Sequence, residues 1–343
     1  MARCALLSYR LGGVDGVSVE ARKWAWALRQ LGHEVTTVAG EGEADYIIRG
    51  LGTSDLGPVA VGELNQALEG CDLVVVENLL SLPMNPHAQA AAAEALAGRR
   101  ALLRHHDLPW QRKQFAGIEL LEMDPRWTHV TINAYSAHEL AERGLEAQLL
   151  YNAFDLEVSP GDREGTRSLL GLDEGVRLAL QPTRAIERKN ISGAIAIAEQ
   201  LGCTYWLTGD AEDGYGPTLE AVLDSARCPV LHGAGRTEVR ANAYHAYAAS
   251  DLVLFPSTLE GFGNPPIEAA IARRPVVVGA YQAAAEVEAL GFRWFHEDEV
   301  ELLAEHLGSA DDELHDHNLE VVARHFNLAD LPARLDALLH ALP

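Results

Sequence analysis

Two glutamates that lie eight positions apart flank a turn of small residues in "STLEGFGNPPIEAA" (257–270). Glu260 follows an apolar run, and we expect Glu268 in the first turn of a helix that starts at the Pro-Pro pair. An acid at a helix start also simply complements the helix dipole. The whole pattern is more specific, because the two intervening glycines let backbone N–H groups approach a ligand. A carboxylate accepts from two vicinal hydroxyls at once, so the pair suits two polyol rings.

A second candidate site lies upstream in "QPTRAIERKN" (181–190), where Arg184 and Lys189 stand between a predicted strand and a predicted helix. Two cations at this point suit an anion such as a diphosphate. The alternative is a solvated basic turn balanced by Glu187, and the stretch alone favours it. The acidic pair downstream is the reason to favour a binding site here.

The stretch "YRLGGVDGVSVE" (9–20) forms a glycine-rich connection between the first predicted strand and helix. Loops that hold phosphates occupy this position in parallel sheets, which makes Gly12 and Gly13 candidates. The spacing matches neither Gly-x-Gly-x-x-Gly nor a Walker A loop, so the loop alone is weak support.

A polar loop, "RHHDLPWQRK" (104–113), follows another predicted strand. Loops at the carboxyl end of parallel strands carry ligand-binding groups more often than not. We expect a site role for His106, the alternative being that the imidazole only caps the strand.

Ten short apolar runs alternate with helical patterns, as expected for α/β units with parallel sheets. The predicted strands cover residues 4–9, 33–39, 72–77, 100–105, 128–133, 177–182, 203–209, 228–233, 251–257 and 275–280. A segment between the two series of five has no strand pattern, so we place a domain boundary near residues 152–165. The predicted domains are 1–155 and 156–325, each a doubly wound parallel sheet. The C-terminal helix, within 326–343, carries a leucine stripe able to pack back on the N-terminal domain.

Composition limits the classes of partner. The 343 residues suffice for two domains, and 27 Lys and Arg against 50 Asp and Glu give a formal charge of −23. Such a charge argues against nucleic acid and anionic membranes as partners, although local cations can still bind a small anion. The four cysteines lack metal-ligand spacing, and no segment resembles a signal peptide or a membrane span. We therefore expect a cytoplasmic protein without stable membrane insertion, of undetermined oligomeric state.

In order and spacing, the four stretches resemble the retaining nucleotide-sugar glycosyltransferases of family 4. This family has the GT-B fold, in which two Rossmann-like domains face each other across a cleft. The resemblance implies an N-terminal acceptor domain and a C-terminal donor domain. After "PVVVGA" (275–280) the family often continues with a Gly-Gly turn and a glutamate, whereas "YQAAAEVEAL" follows here, which leaves Glu286 without an assigned role.

The resemblance also implies roles for the candidate residues. Arg184 and Lys189 would bind the donor diphosphate and neutralise the leaving group, with no metal and no other cofactor. Glu268 would bind the ribose, while Gly12 and Gly13 would close on the phosphates. The transferred sugar would meet Glu260 and the backbone N–H groups of four residues: Gly261, Phe262, Gly263 and Asn264.

In the N-terminal domain, His106 would lie near the anomeric carbon of the sugar. Asp107 and Arg112 are candidates for binding the acceptor.

The expected activity is that of a hexosyltransferase. A retaining, metal-independent enzyme would move a hexose from a UDP- or GDP-sugar to a hydroxyl of a soluble small molecule or glycan. Two alternatives of the same fold are a sugar-nucleotide epimerase and a non-catalytic sugar-nucleotide binding protein. A nicotinamide oxidoreductase is disfavoured, because the Gly-x-Gly-x-x-Gly fingerprint and its following acid are missing.

Overall fold

The computed structural model describes all residues except 14, 55, 236, 238–241, 310, 311 and 343. The chain divides into two compact units. Unit 1 comprises Met1–Ala153 and Leu328–Pro343, and unit 2 comprises Phe154–Asn327. Each unit has its own parallel sheet.

Unit 1 contains a seven-stranded sheet. Its strands are β1 (Arg3–Leu11), β2 (Glu34–Gly42), β3 (Tyr46–Ile47), β4 (Leu73–Glu77), β5 (Ala101–His105), β6 (Trp127–Thr131) and β7 (Ala147–Leu149). All neighbours are parallel, in the order β3-β2-β1-β4-β5-β6-β7. Its described helices are α1 (Gly16–Gln30), α2 (Val61–Ala67), α3 (Pro86–Leu96), α4 (Ala134–Glu142) and α13 (Leu331–His340).

Both faces of this sheet are covered, which is why β4 and β5 are buried along their whole length. In register, Leu6 of β1 pairs with Val75 of β4, and Val75 pairs with Leu102 of β5. One face packs against α1 and α13, where Trp24 and Leu335 are fully buried in one apolar cluster. The leucine stripe of the last helix is therefore covered within unit 1.

Unit 2 contains a five-stranded parallel sheet. Its strands are β8 (Leu178–Gln181), β9 (Thr204–Leu207), β10 (Val230–His232), β11 (Leu252–Phe255) and β12 (Val276–Val278), in the order β10-β9-β8-β11-β12. Its described helices are α5 (Arg163–Leu169), α6 (Ile191–Gln200), α7 (Gly216–Asp224), α8 (Tyr244–Ala249), α9 (Asn264–Ile271), α10 (Gln282–Ala289), α11 (Val300–Leu307) and α12 (Glu313–His325).

The predicted class of two parallel-sheet α/β domains is confirmed, and a strand forms within or at each of the ten predicted apolar runs. The sequence did not indicate β3 and β7, because these edge strands are only two and three residues long and largely exposed. In both sheets the first strand lies between a sequence neighbour and a later strand. Ligands of such sheets bind at this reversal of strand order, outside the carboxyl ends. The reversal lies between β1 and β4 in unit 1 and between β8 and β11 in unit 2.

Candidate functional site

The loops that follow β8 and β11 meet at the strand-order reversal of unit 2. The first contains a short 3-10 helix, Glu187–Lys189, and the second runs from the end of β11 to the start of α9. The amide of Thr258 donates to the carbonyl of Arg188 at 2.9 Å, which ties the two loops together. The basic and acidic stretches singled out in the sequence therefore form one cluster.

Glu260 is at the centre of this cluster, with its side chain only 9% exposed. Its Oε2 accepts from Nη1 of Arg188 at 2.7 Å, and its Oε1 accepts from Nζ of Lys189. Burial alone would raise the pKa of Glu260, but the charges of Lys189 and Arg188 hold that pKa below its ordinary value. The site thus contains an ionised buried carboxylate between two cations.

Lys189 is almost as enclosed as its partner. Burial lowers the pKa of Lys189 to about 8, against the opposing charge of Glu260. The ammonium lies 4.9 Å from the centre of the Phe255 ring. The carbonyl of Lys189 accepts from Gln181 at 2.8 Å, and Tyr205 donates to the same Gln181 side chain at 2.5 Å. The backbone of Lys189 is therefore held at the end of β8.

Arg184, the other predicted diphosphate ligand, is 43% exposed and pairs with Glu212 at 2.6 Å. It makes no ion pair with Glu260, although its charge contributes to lowering the pKa of Lys189. The carboxylates that pair with these cations are Glu212 and Glu260, whereas the sequence had suggested Glu187 as a balancing charge.

Glu268 is in the second turn of α9, and the expectation of the first turn was wrong. The helix begins at Asn264, so the Pro-Pro pair lies inside its first turn, where proline is tolerated. The Glu268 carboxylate accepts from the hydroxyl of Tyr247 at 2.5 Å. Tyr247 is buried, and burial together with Glu268 raises the pKa of its phenol well above the ordinary value.

The turn between the two glutamates is fixed by its own packing. Gly263 has φ of +90°, and a Cβ there would lie 2.2 Å from the hydroxyl of Tyr281, so this position requires glycine. The ring of Phe262 is buried and lies 6.3 Å from the ring of Phe154 and 5.5 Å from that of Phe326. Phe262 can therefore face a ligand only through its backbone.

In unit 1, His106 is held by the two residues at the end of β4. Its Nε2 lies 2.6 Å from Oε2 of Glu77, whose side chain is fully buried. The Asn78 amide oxygen accepts from the backbone N–H groups of His106 at 2.9 Å and Asp107 at 3.3 Å. Burial alone would raise the pKa of Glu77, but Arg104 and His106 hold it below the ordinary value. The imidazole is thus fixed by an ionised carboxylate.

A buried ion network supports this arrangement. Arg104 of β5 donates to Glu77 at 3.3 Å and to Glu20 of α1 at 3.0 Å, and all three side chains are at most 1% exposed. Lys23 pairs with the other oxygen of Glu20 at 2.5 Å. The guanidinium of Arg104 lies 4.5 Å from the Trp24 ring centre. The two carboxylates and two cations of this network therefore balance each other's charge.

Asp107 and Arg112 form an ion pair at 2.6 Å, with side chains 17% and 26% exposed. They follow β5 at the same sheet edge as His106. Both side chains are more accessible than Arg104, Glu77 and Glu20 of the enclosed network.

The glycine loop of unit 1 connects β1 to α1. Gly12 has φ of +79°, and a Cβ there would lie 2.5 Å from the Cβ of Glu43, so glycine is required. The carbonyl of Gly13 accepts from Arg22 at 2.7 Å, and the side chain of Asp15 caps the start of α1. The chain's own groups therefore hold Gly13 and Asp15 of this loop.

Three groups in these clusters were not identified from the sequence: Arg188, Tyr247 and the Glu77–Arg104 pair. Arg188 lies within the quoted basic stretch, but its partner Glu260 is 72 residues away. Glu77 and Arg104 stood as charged residues within apolar strand runs, a pattern that could have marked a buried ion pair.

The described residues contain neither a metal-binding cluster nor a membrane-spanning helix. Outside the omitted positions, no group of three or more His, Cys, Asp or Glu side chains is placed to hold a metal ion. No helix in the described part of the chain is long and apolar enough to cross a membrane.

Comparison with known sequences identifies the enzyme class. Residues 189–310 match the family model for "Glycosyl transferases group 1". The chain is 27% identical to mannosylglucosylglycerate synthase of Thermotoga maritima, over 96% of this chain and 97% of that protein. It is 26% identical to the same-named enzyme of Petrotoga mobilis, over 84% of each.

Solved structures agree on the architecture. Anabaena Alr3699/HepE, in complex with UDP-glucose, matches with a TM-score of 0.72 and 19% identity over 99% of this chain and 100% of that one. Sucrose-phosphate synthase of Thermosynechococcus elongatus matches with a TM-score of 0.73 and 15% identity over 100% and 99%. The fold is of the GT-B type, as predicted. With the sequence matches, the chain is a hexosyltransferase, and its residues 189–310 are similar to the group 1 glycosyl transferases.

Proposed function

We propose that this hexosyltransferase is retaining and metal-independent, and that it moves a hexose from a nucleoside diphosphate to a hydroxyl of a small-molecule or glycan acceptor. The observation that supports this best is the ionised Glu260 between Arg188 and Lys189 at the strand-order reversal of unit 2. Two cations against one carboxylate leave a local positive charge in a chain of net charge −23. That charge suits a diphosphate.

The donor is assigned to unit 2. Lys189 and Arg184 bind the diphosphate and stabilise the negative charge that develops on it as the sugar departs. Glu268, held by Tyr247, accepts from the ribose hydroxyls. Glu260 accepts from hydroxyls of the hexose. The backbone N–H groups of the turn lie beside that sugar, from Gly261, Phe262, Gly263 and Asn264.

Unit 1 is assigned the acceptor. Asp107 and Arg112 bind acceptor hydroxyls, and His106, fixed by Glu77, orients the reacting hydroxyl. Gly12 and Gly13 offer backbone groups to the phosphates.

The chemistry assigned is a front-face substitution. The bond from the anomeric carbon to the phosphate oxygen breaks while the acceptor oxygen bonds to the same face of that carbon. The departing phosphate takes the proton of the acceptor hydroxyl, so no side chain is assigned as nucleophile. The protein contributes positioning and electrostatic stabilisation.

The mannosylglucosylglycerate synthases suggest the substrates, because they align with 96% and 84% of this chain. We infer a nucleoside diphosphate mannose as donor and a glucosylated glycerate as acceptor. The carboxylate of such an acceptor is an anion that Arg112 can pair with.

Donor binding and turnover of a Lys189→Met variant test this function. Because Lys189 acts on charge that develops during transfer, we expect kcat/KM to fall by about 10²- to 10³-fold. UDP, GDP and their mannose and glucose forms are screened by calorimetry, and transfer to glucosylglycerate is followed by mass spectrometry. Arg227→Met is the matched control, since Arg227 is 85% exposed and pairs only with Glu199 among the described residues.

Normal donor binding and normal turnover in Lys189→Met would contradict the function. So would loss of activity in EDTA that added Mg²⁺ restores. A nucleotide sugar altered without any acceptor would identify an epimerase instead, and binding without turnover in any acceptor screen would identify a binding protein.

A further inference from the structure

Arg188 is tied to the loop that carries Glu260 through both its backbone and its side chain. Its Nη1 donates to the carbonyl of Leu259 and to Oε2 of Glu260, each at 2.7 Å. Its own carbonyl accepts from the amide of Thr258 at 2.9 Å. The side chain is 19% exposed, and its Nε is buried with no hydrogen-bond partner among the described residues. Release of Arg188 from Glu260 would therefore disturb several contacts at once.

Lys189 is attached differently. Within the described part of the chain, the single hydrogen bond of its ammonium goes to Oε1 of Glu260. An ammonium on a flexible four-carbon chain exchanges partners without a fixed geometry, whereas a guanidinium bound to two acceptors does not. Of the two cations, Lys189 is the one that can turn towards a phosphate.

If Lys189 left Glu260 for a phosphate and no other cation remained, a carboxylate with a 9% exposed side chain would stay buried and unpaired. Such a group is strongly destabilising. It would also repel the incoming diphosphate. Arg188 prevents both effects, because its bond to Oε2 does not depend on where Lys189 points.

We propose that Arg188 is a positioning residue for the transfer, an inference that rests on the donor chemistry proposed above. Arg188 stays with Glu260 throughout and holds it in place. Lys189 then exchanges Oε1 of Glu260 for a phosphate oxygen of the nucleoside diphosphate. The exchange frees Oε1 to accept from a sugar hydroxyl.

The arrangement predicts how kcat/KM for the donor depends on pH. Burial is the main cause of the lowered pKa of Lys189, about 8, and the positive charge of Arg188 contributes. Above pH 8 the free enzyme loses the Lys189 proton, so kcat/KM for the donor falls. Without the positive charge of Arg188 the pKa of Lys189 should be higher, so this alkaline decline should move to higher pH.

The test compares Arg188→Met, Arg188→Lys and Lys189→Met in the full-length enzyme, with UDP- and GDP-mannose as donors. In Arg188→Met we expect kcat/KM at neutral pH to fall about 10- to 100-fold, as for loss of a hydrogen bond to a charged group. Its alkaline decline should shift upwards. Arg188→Lys keeps the positive charge but loses the guanidinium that contacts both Leu259 and Glu260. It should recover part of kcat/KM, and its alkaline decline should lie at the wild-type pH.

A merely structural role would lower activity without moving the alkaline decline, and that result would overturn the inference. So would wild-type kcat/KM in Arg188→Met. If Arg188→Met does not fold, Arg188→Gln decides, because it keeps a hydrogen-bond donor without the charge: an upward shift of its alkaline decline supports the inference and an unchanged position contradicts it. Loss of activity in Lys189→Met together with a normal Arg188→Met rejects the role of Arg188 alone, whereas a normal Lys189→Met rejects the donor assignment itself.

Discussion

Each unit carries a buried ion network at the strand-order reversal of its sheet, and the two networks differ in their balance of charge. In unit 1 two carboxylates face two cations, and Arg104 joins Glu20 to Glu77. In unit 2 two cations, Arg188 and Lys189, share one carboxylate. A balanced network can only hold its own members in place. A network with a surplus cation can also attract an anion, even in a chain whose net charge is −23.

The two networks also differ in how far their ion-paired side chains are buried. The side chains of Arg104 and Glu77 are fully buried, whereas those of Arg188 and Glu260 are 19% and 9% exposed. At the edge of the unit 1 network, the side chain of His106 is 7% exposed and pairs with Glu77. The same position in two similar sheets thus holds an enclosed network in unit 1 and, in unit 2, a more accessible network for which we propose ligand exchange.

The largest expected effect comes from Arg104→Met, which breaks the balanced network. It leaves Glu20 paired only with Lys23 and removes the main counter-charge of Glu77. Removal of one partner from a buried pair costs about 3–5 kcal/mol, and we expect the free energy of unfolding to fall by that amount. Urea unfolding measures the loss, and hydrogen exchange with mass spectrometry locates it in unit 1.

Arg188→Met is the matched variant in unit 2, where Glu260 keeps Lys189 as a partner. Its loss of stability should be clearly smaller. Equal losses in the two variants would mean that the two networks do not differ in the way described.

A smaller effect is expected in acid from a pair of histidines in unit 1. His105 and His129 are buried, and Nε2 of the first lies 2.9 Å from Nδ1 of the second. Burial lowers the pKa of His129 to about 4, and burial together with the charge of His129 lowers the pKa of His105 well below its ordinary value. Between pH 6.5 and 4 the unfolded chain binds protons that the folded chain does not. Stability therefore decreases as pH falls through this window, by up to about 3 kcal/mol for His129.

Hydrogen exchange at pH 7.5 and pH 5 tests this expectation, with unit 1 opening more readily at pH 5 than unit 2. The lowered pKa values of Glu77 and Glu260 place their own loss of stability below pH 4.5, outside this comparison. His129→Gln retains a polar side chain without its titration and should reduce the difference. An equal response of both units to acid would contradict the role given to the histidines.

The sequence predicted the elements that place these networks better than the networks themselves. Apolar runs bounded by turns were sufficient for ten strands, because a strand covered on both faces must be apolar throughout. The basic and acidic loops of unit 2 were found because several polar groups stood together at strand ends. Arg188 was missed, since its function depends on a carboxylate 72 residues later. Tyr247 was missed because nothing in the helix sequence YHAYAA marks which of its two tyrosine hydroxyls reaches Glu268.

The smallest predicted effect concerns that hydroxyl. In Tyr247→Phe the Glu268 carboxylate loses a 2.5 Å hydrogen bond, and a single such bond contributes about 1 kcal/mol. If Glu268 binds the ribose, its altered position should weaken donor binding about fivefold by calorimetry, as expected for that free energy.

Tyr9→Phe is the control in unit 1, because the buried hydroxyl of Tyr9 donates to the carbonyls of Leu82 at 2.5 Å and Leu79 at 3.1 Å. Each variant removes one hydrogen-bonded phenol hydroxyl, and Tyr9→Phe should lose at least as much stability as Tyr247→Phe but leave the donor dissociation constant unchanged. Equal effects on donor binding would show that the nucleotide senses the stability of the whole chain and not the position of Glu268. The proposed nucleotide binding by unit 2 would then depend on Arg184 and Lys189 without a contribution from Glu268.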